Sequence, residues 1–423
     1  MQKIFCNAKF KAENSSQTPC EAFFVNDGKF VLIGSNEEVL QMKQEGVDVV
    51  DLNGKSVYPT FYDTNANIYR MIENNLKNAN LTDFLENNEE IDENYDKFVN
   101  YEEYKKEFLK IQDEYISRGI TTIQEIDVCS KEFTFWKKIS EEKLLILDVI
   151  AYINFQTNKA VMDNNCRSFR KYRYHFRIGG YYIKLDGNAL SSAAWISKPY
   201  KGTKDFKGYG HIFDEQLGII IKTCYEEKKQ LFVEANGDNA IEQFLRVFAE
   251  VKEKEKPEDL LRPIIHSPAQ LLKKHILKIK EFGITPSFNF ESFVKDYKIY
   301  KNMLGLFRAK KVAPVNKLYN NNIDFINHNN SEDIPSVKQI LEALSNIKVI
   351  KKQIAKSKLN PEDLYYQLLK TTAYITFDNE LKSTFEEGKL VNFVVLKEGT
   401  DILDFEIEEV YLEGEPQIKK DNN

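Results

Sequence analysis

At 423 residues, with 42% hydrophobic and 29% charged side chains, the chain has the composition of a globular enzyme-sized protein. That length accommodates a barrel of ordinary size together with a smaller domain. A net charge of −6 and a pI near 5.7 exclude the strongly basic face of a nucleic-acid binder.

Cys6, Cys20, Cys129, Cys166 and Cys224 are scattered and odd in number. No pair has the spacing of a zinc knuckle or a redox motif, so a reduced, cytoplasmic setting is expected. The start of the chain lacks the apolar core of a signal peptide, and no apolar run reaches bilayer length, so no membrane partner is expected.

In chain order, strands are predicted over 3–12, 21–25 and 29–33, the last two joined by a hairpin turn at Asp27-Gly28. Ser35-Asn36-Glu37-Glu38 then opens a helix. The stretch Val57-Tyr-Pro-Thr-Phe-Tyr-Asp-Thr-Asn-Ala-Asn-Ile68 passes from an apolar run into Asp63, Asn65 and Asn67 at alternate positions. If the strand continues through them, all three point to one side, and the end of a buried strand is where an α/β barrel keeps its chemistry. The alternative is that these residues simply open a loop.

Residues 69–97, rich in Asn, Asp and Glu, are expected to form a surface segment. Tyr104, Phe108, Ile111, Tyr115 and Ile116 then recur at helical spacing, followed by Gly119 and a strand over 120–123. The same helix, glycine, strand order returns at Phe282, Gly283 and 284–288. Further strands are predicted over 145–153, 181–185, 231–235, 262–265 and 323–326, with helices over 215–229, 239–253 and 269–282. Strands return over 387–396 and 409–414, before a polar tail over 419–423. The repeated grammar is that of a parallel α/β barrel.

Several stretches resemble the amidohydrolase superfamily. Pro59, Phe61 and Asp63 match its first barrel strand, Pro-Gly-Phe-x-Asp-x-His-x-His. Val25–Val39, Val50–Pro59 and Glu387–Leu396 resemble its β-sandwich strands. Lys184-Leu-Asp186-Gly187, Lys198-Pro-Tyr200 and Glu234-Ala-Asn-Gly-Asp-Asn-Ala-Ile241 are similar to the amidohydrolase 3 branch, the YtcJ-like proteins related to N-substituted formamide deformylase. The resemblance implies a distorted TIM (β/α)8 barrel over 59–379 and a small β-sandwich built from both chain ends, 1–58 and 380–423. It implies hydrolysis of non-peptide C–N bonds and often a homodimer. The branch inserts a long segment after its first strand, and here only residues 68–118 fill that interval.

The family holds its metals with two first-strand histidines, a lysine that is carboxylated in many members, two later histidines and a late aspartate. Carried over by position, these fall on Asn65, Asn67, Tyr182, Glu234, His266 and Asn330. Only His266 keeps the family's residue. Neutral amides bind zinc weakly, and an asparagine cannot act as the proton-transfer base. Two readings of Glu234 follow. It binds zinc or another divalent metal with His266 and Asp63, or it is a buried carboxylate that takes Lys184 as its cation. No cofactor is expected on the second reading.

His266 alone reads as a hydrogen-bonded core histidine, and His328 as a loop residue that either stays outside the mouth or turns into it. His175, His211 and His275 read as structural or solvated, and Asp238 as a helix N-cap. Ser191-Ser192 lacks the setting of a nucleophile elbow. Three functions stay open: a member that has lost metal-dependent catalysis and keeps a polar pocket for a small molecule, a C–N hydrolase with an atypical single-metal or metal-free site, and a non-catalytic scaffold or oligomer partner.

Overall fold

Residues 2–12, 20–76, 99–165, 170–256, 261–329, 333–351 and 361–419 are described by a computed structural model. Two four-stranded sheets face each other at one end of the molecule. The first is built from β1 (Gln2–Cys6), β2 (Ala22–Asn26), β3 (Lys29–Gly34) and β4 (Asp48–Asp51). The second combines β5 (Val57–Pro59) with three strands from the far end of the chain. Between them lie β6 (Phe61–Ala66), β7 (Ile120–Val128), β8 (Asp148–Asn154), β9 (Phe176–Lys184), β10 (Gln230–Glu234), β11 (Ile264–His266), β12 (Thr285–Phe288) and β13 (Ile326–Asn327). These eight pair in parallel, in sequence order, as one sheet. The chain then returns to the second small sheet as β14 (Phe393–Leu396), β15 (Ile407–Leu412) and β16 (Glu415–Lys419).

The eight-stranded sheet curls into a distorted (β/α)8 barrel. Its first and last strands meet through side chains: Thr64 Oγ1 donates to the Asn327 carbonyl at 2.6 Å, and Asn65 Nδ2 to the Asn329 carbonyl at 2.8 Å. Alternation along the strands divides two cores. Ile150, Tyr152, Tyr182, Phe232, Ile264 and Ile326 fill the barrel, while Val149, Ala151, Ile153, Ile183 and Val233 pack on the surrounding helices. Phe5 and Phe23 of the first small sheet meet Phe393 of the second edge-on, at 5.2 and 5.4 Å, so the sandwich core joins both chain ends.

The elements differ from expectation in instructive places. β1 stops at Cys6 because Asn7 turns to φ 55°, and Lys9 and Ala12 make only isolated bridges. Ile68–Asn75 is a helix capped by Asn67, with Tyr69, Met71 and Ile72 buried, where a surface segment was expected; 77–98 lie outside the described residues. The strand expected over 145–153 begins at Asp148, and the helix expected from 269 begins at Lys273. β13 has two residues, and β16 takes up the start of the expected tail. Among the described residues no helix is long and apolar enough to cross a membrane.

Candidate functional site

The C-terminal ends of the barrel strands open into a cavity of about 610 Å³ lined by Asn65, Asn67, Tyr182, Lys184, Glu234, His266, Ser267 and His328, among others. Tyr182 and Lys184 stand two residues apart on β9 and so face the same way, toward Glu234 at the tip of β10. Lys184 Nζ lies 3.1 Å from Glu234 Oε1, and the Tyr182 hydroxyl donates to Oε2. Asn236 Nδ2 donates to Oε1 at 3.3 Å. Burial opposes the charge on Glu234, but Lys184, His266 and Tyr182 outweigh it and hold this carboxyl below its ordinary value.

His266, at the tip of β11, is 4% exposed and packs between the rings of Phe232 at 5.3 Å and His328 at 3.9 Å. Burial, reinforced by Lys184 and partly offset by Glu234, pushes its imidazole down to about 4, so it is neutral at pH 7. Its Nδ1 is buried without a partner. His328 follows β13 directly and is buried inside the mouth, which decides between the two positions the sequence left open. Its Nδ1 meets Ser287 Oγ at 2.8 Å and its Nε2 meets Ser267 Oγ at 3.0 Å. Burial and the neighbouring His266 hold it well below the usual imidazole value.

Asp63 is not part of this group. The expected alternation fails because β6 and β7 lose register between Asp63 and Ala66. Asp63 instead turns to the helix layer, where Tyr115 Oη donates to Oδ2 at 2.9 Å and the Asn65 amide to Oδ1 at 3.0 Å. Burial raises its carboxyl to about 6 despite those two bonds. Asn65 and Asn67 do line the cavity, Asn67 also capping the helix after β6 through the Arg70 amide. Asn330 lies outside the described residues.

One further expectation changes, and two histidines read as structural or solvated have partners. Asp238 is the first residue of its helix, after Gly237, and its carboxylate accepts from the Ser197 amide and hydroxyl. His275 is buried with Nε2 3.0 Å from Glu242, and His175 meets Asp148 at 2.9 Å, so both have carboxylate companions contributed by other elements. Sequence reasoning also passed over Asp186, the anchor of the mouth. It accepts from the amides of Trp195, Asn236 and Gly237 at 2.7–2.8 Å, and burial lifts its carboxyl to about 6 against those bonds. Gly237 is required there, since a Cβ would sit 1.9 Å from the Trp195 carbonyl oxygen. Ser267 and Ser287 were missed as well; the signal was their place at the ends of strands beside His266 and before Phe288.

A catalytic divalent metal needs about three converging histidine or carboxylate donors and an open position. Among the described residues no three His, Cys, Asp or Glu side chains form such a group. Glu234 faces an ammonium, and both nitrogens of His328 are engaged by serines. The donor set therefore does not fit the metal centre that the sequence resemblance implies.

Residues 63–416 match the model of the Amidohydrolase family. Among curated proteins, no sequence matches the chain. An uncharacterized metal-dependent hydrolase from Pyrococcus furiosus superposes with a TM-score of 0.78 at 16% identity, over 95% of this chain and 100% of that one. Another from Pyrococcus horikoshii OT3 gives 0.77 at 17% identity, over 95% and 98%. A guanine deaminase from C. acetobutylicum, solved with bound guanine, gives 0.64 at 14%, over 98% and 100%. At these identities the likeness is one of fold.

Proposed function

The chain belongs to the amidohydrolase family, and from that premise we propose that it has given up metal-dependent hydrolysis and keeps the barrel mouth as a metal-independent cavity for a small polar molecule of the amide class. The observation that carries this reading is the Lys184–Glu234 pair, 3.1 Å apart. A carboxylate already neutralised by a neighbouring ammonium offers little to a dication, and an ammonium at that position repels one. Asn65 and Asn67 supply amide donors and acceptors around the same cavity, which suit a ligand carrying C=O and N–H groups.

Elemental analysis of protein purified without chelator tests the first half: the expected zinc, manganese and iron content is far below one per chain, and a stoichiometric metal overturns the reading. Thermal-shift measurements with small amides and formamides test the second. A ligand bound at 100 times its Kd raises stability by about 2.7 kcal/mol, readily seen as a higher melting temperature. No response to any of them favours a scaffold role.

A further inference from the structure

We propose that Ser267 is a catalytic nucleophile, activated by His328, for acyl transfer from small esters or amides bound in the mouth cavity. The inference rests on the metal-free reading of that cavity and adds a reaction to it. A hydroxyl becomes a useful nucleophile when an imidazole is within hydrogen-bond reach and a third group fixes that imidazole's tautomer. Ser267 Oγ is 3.0 Å from His328 Nε2, and Ser287 Oγ is 2.8 Å from His328 Nδ1. With Nδ1 protonated and donating to Ser287, Nε2 is left to accept from Ser267; the burial that holds His328 below the usual imidazole value keeps it in this neutral, accepting form and makes it a weaker base than a solvated imidazole. Ser287 has no exposure and His328 4%, so the packed interior holds the base in place.

Access and backbone agree with that assignment. Ser267 is only partly buried and lines the cavity, whereas Ser287 does neither. Its φ is +54°, a conformation L side chains rarely adopt, and it stands at the tip of β11 between His266 and Pro268. Strained backbone at a strand end, presenting a hydroxyl to a cavity, is the arrangement that nucleophile elbows use. Lys184, with 41% of its side chain exposed, lines the same cavity but is paired with Glu234 at 3.1 Å, so the hydroxyl–imidazole contact and the strand-end backbone carry the assignment. The alternative is that the two serines merely satisfy a buried imidazole, and that alternative leaves Ser267 inert.

The chemistry balances without a metal or redox partner. Ser267 Oγ bonds to the acyl carbon as its proton passes to His328 Nε2. The C–O or C–N bond of the substrate breaks, and the leaving group departs with that proton as an alcohol or amine. A water molecule then adds to the acyl-serine, giving its proton to His328, and the carboxylic acid leaves as Ser267 regains its hydrogen. Ser287 is a positioning residue, acting through His328.

The test is labelling of the full chain with a fluorophosphonate, and with p-nitrophenyl acetate, in the presence of EDTA, followed by intact mass and peptide mapping. The expected result is one adduct per chain on Ser267, absent in Ser267→Ala and unchanged in Ser191→Ala. Ser287→Ala should slow labelling by roughly tenfold or more, with Ser287→Thr restoring it, a rescue that a purely packing role does not require. Melting curves identify any variant that fails to fold, and the Ser267→Ala variant, altered only at a cavity-facing hydroxyl, keeps the comparison open. No adduct on Ser267 in folded, metal-free protein overturns this inference and leaves the binding cavity standing. Labelling that vanishes when a bound metal is stripped by EDTA overturns both.

Discussion

At the N-terminal end of the barrel strands, Arg177 is buried against Asp378 at 2.9 Å, and Lys382 bonds Asp148 and the Thr122 hydroxyl. Above them Tyr152 links Gln124 to Gln230, which in turn donates to the carbonyls of Arg262 and Ile375. At the C-terminal end, Lys184 and Glu234 pair beside a cavity of about 610 Å³, and His266 Nδ1 has no partner. Both ends place opposite charges inside the same barrel. The floor buries Arg177, Asp378 and Lys382 almost completely, so their pairs hold the fold together. The mouth leaves its polar groups facing open space, so they are available to a ligand. The same chemistry serves stability or recognition according to what surrounds it.

That contrast is open to direct attack, and the largest effect is expected on the floor. Arg177→Ala removes the guanidinium from the buried Asp378 carboxylate, leaving it Lys382 at 3.8 Å and the Tyr172 hydroxyl at 3.1 Å, and should cost about 3 kcal/mol, read as a lower urea midpoint with an unchanged slope; a loss under 1 kcal/mol breaks the distinction between the two ends. At the mouth, His266→Gln tests a pH-dependent term. The folded imidazole titrates near 4 and the unfolded one near 6.5, so the unfolded state takes up a proton first as pH falls. Stability should therefore fall between pH 6.5 and 4 in the parent protein, with a shallower fall in the variant by about 3 kcal/mol at pH 4.

Glu234→Gln is expected to cost about 1 kcal/mol at pH 7, because Lys184 is left half-exposed and able to hydrate. Its pH signature is of opposite origin to that of His266. A carboxyl held below its ordinary 4.5 stabilises the fold above that value and loses the contribution as pH falls through the depressed one. The variant should thus differ most from the parent above pH 5 and converge with it in acid, as followed by melting temperature across pH. Smallest is Asn67→Ala, which removes the cap of the Ile68–Asn75 helix and should cost about 0.5–1 kcal/mol by chemical denaturation. If it also abolishes any amide-induced thermal shift, Asn67 serves the cavity as well as the helix.

Much of this molecule was legible before folding. The Asp27-Gly28 turn, the Ser35 capping box and the glycines at 119 and 283 act within a few residues, so local chemistry identifies them. Tyr182 and Lys184, two residues apart in the strand predicted over 181–185, share one face by the two-residue period of a strand. Asp63 escaped because register slips at that point, and a one-residue shift reverses every side chain beyond it. Ile68–Asn75 was hidden by the Asn-, Asp- and Glu-rich run that follows it, since its buried face is recognised only against the helix Tyr101–Ser117 and the barrel.

What the order of residues determined alone was the architecture: periodicity, turn chemistry and family motifs specify strands, helices and their succession, because each depends on neighbours close in sequence. What only the tertiary structure decided was the choice between the two readings of Glu234 and the serine–histidine part of the site. Ser267, Ser287 and His328 come from three strand ends separated by 20 and 41 residues, and Asp186 meets Asn236 and Gly237 across another long interval. Whether a histidine faces a metal, a serine or solvent depends on which strands the barrel sets side by side. That juxtaposition is a property of packing, and no spacing along the chain encodes it.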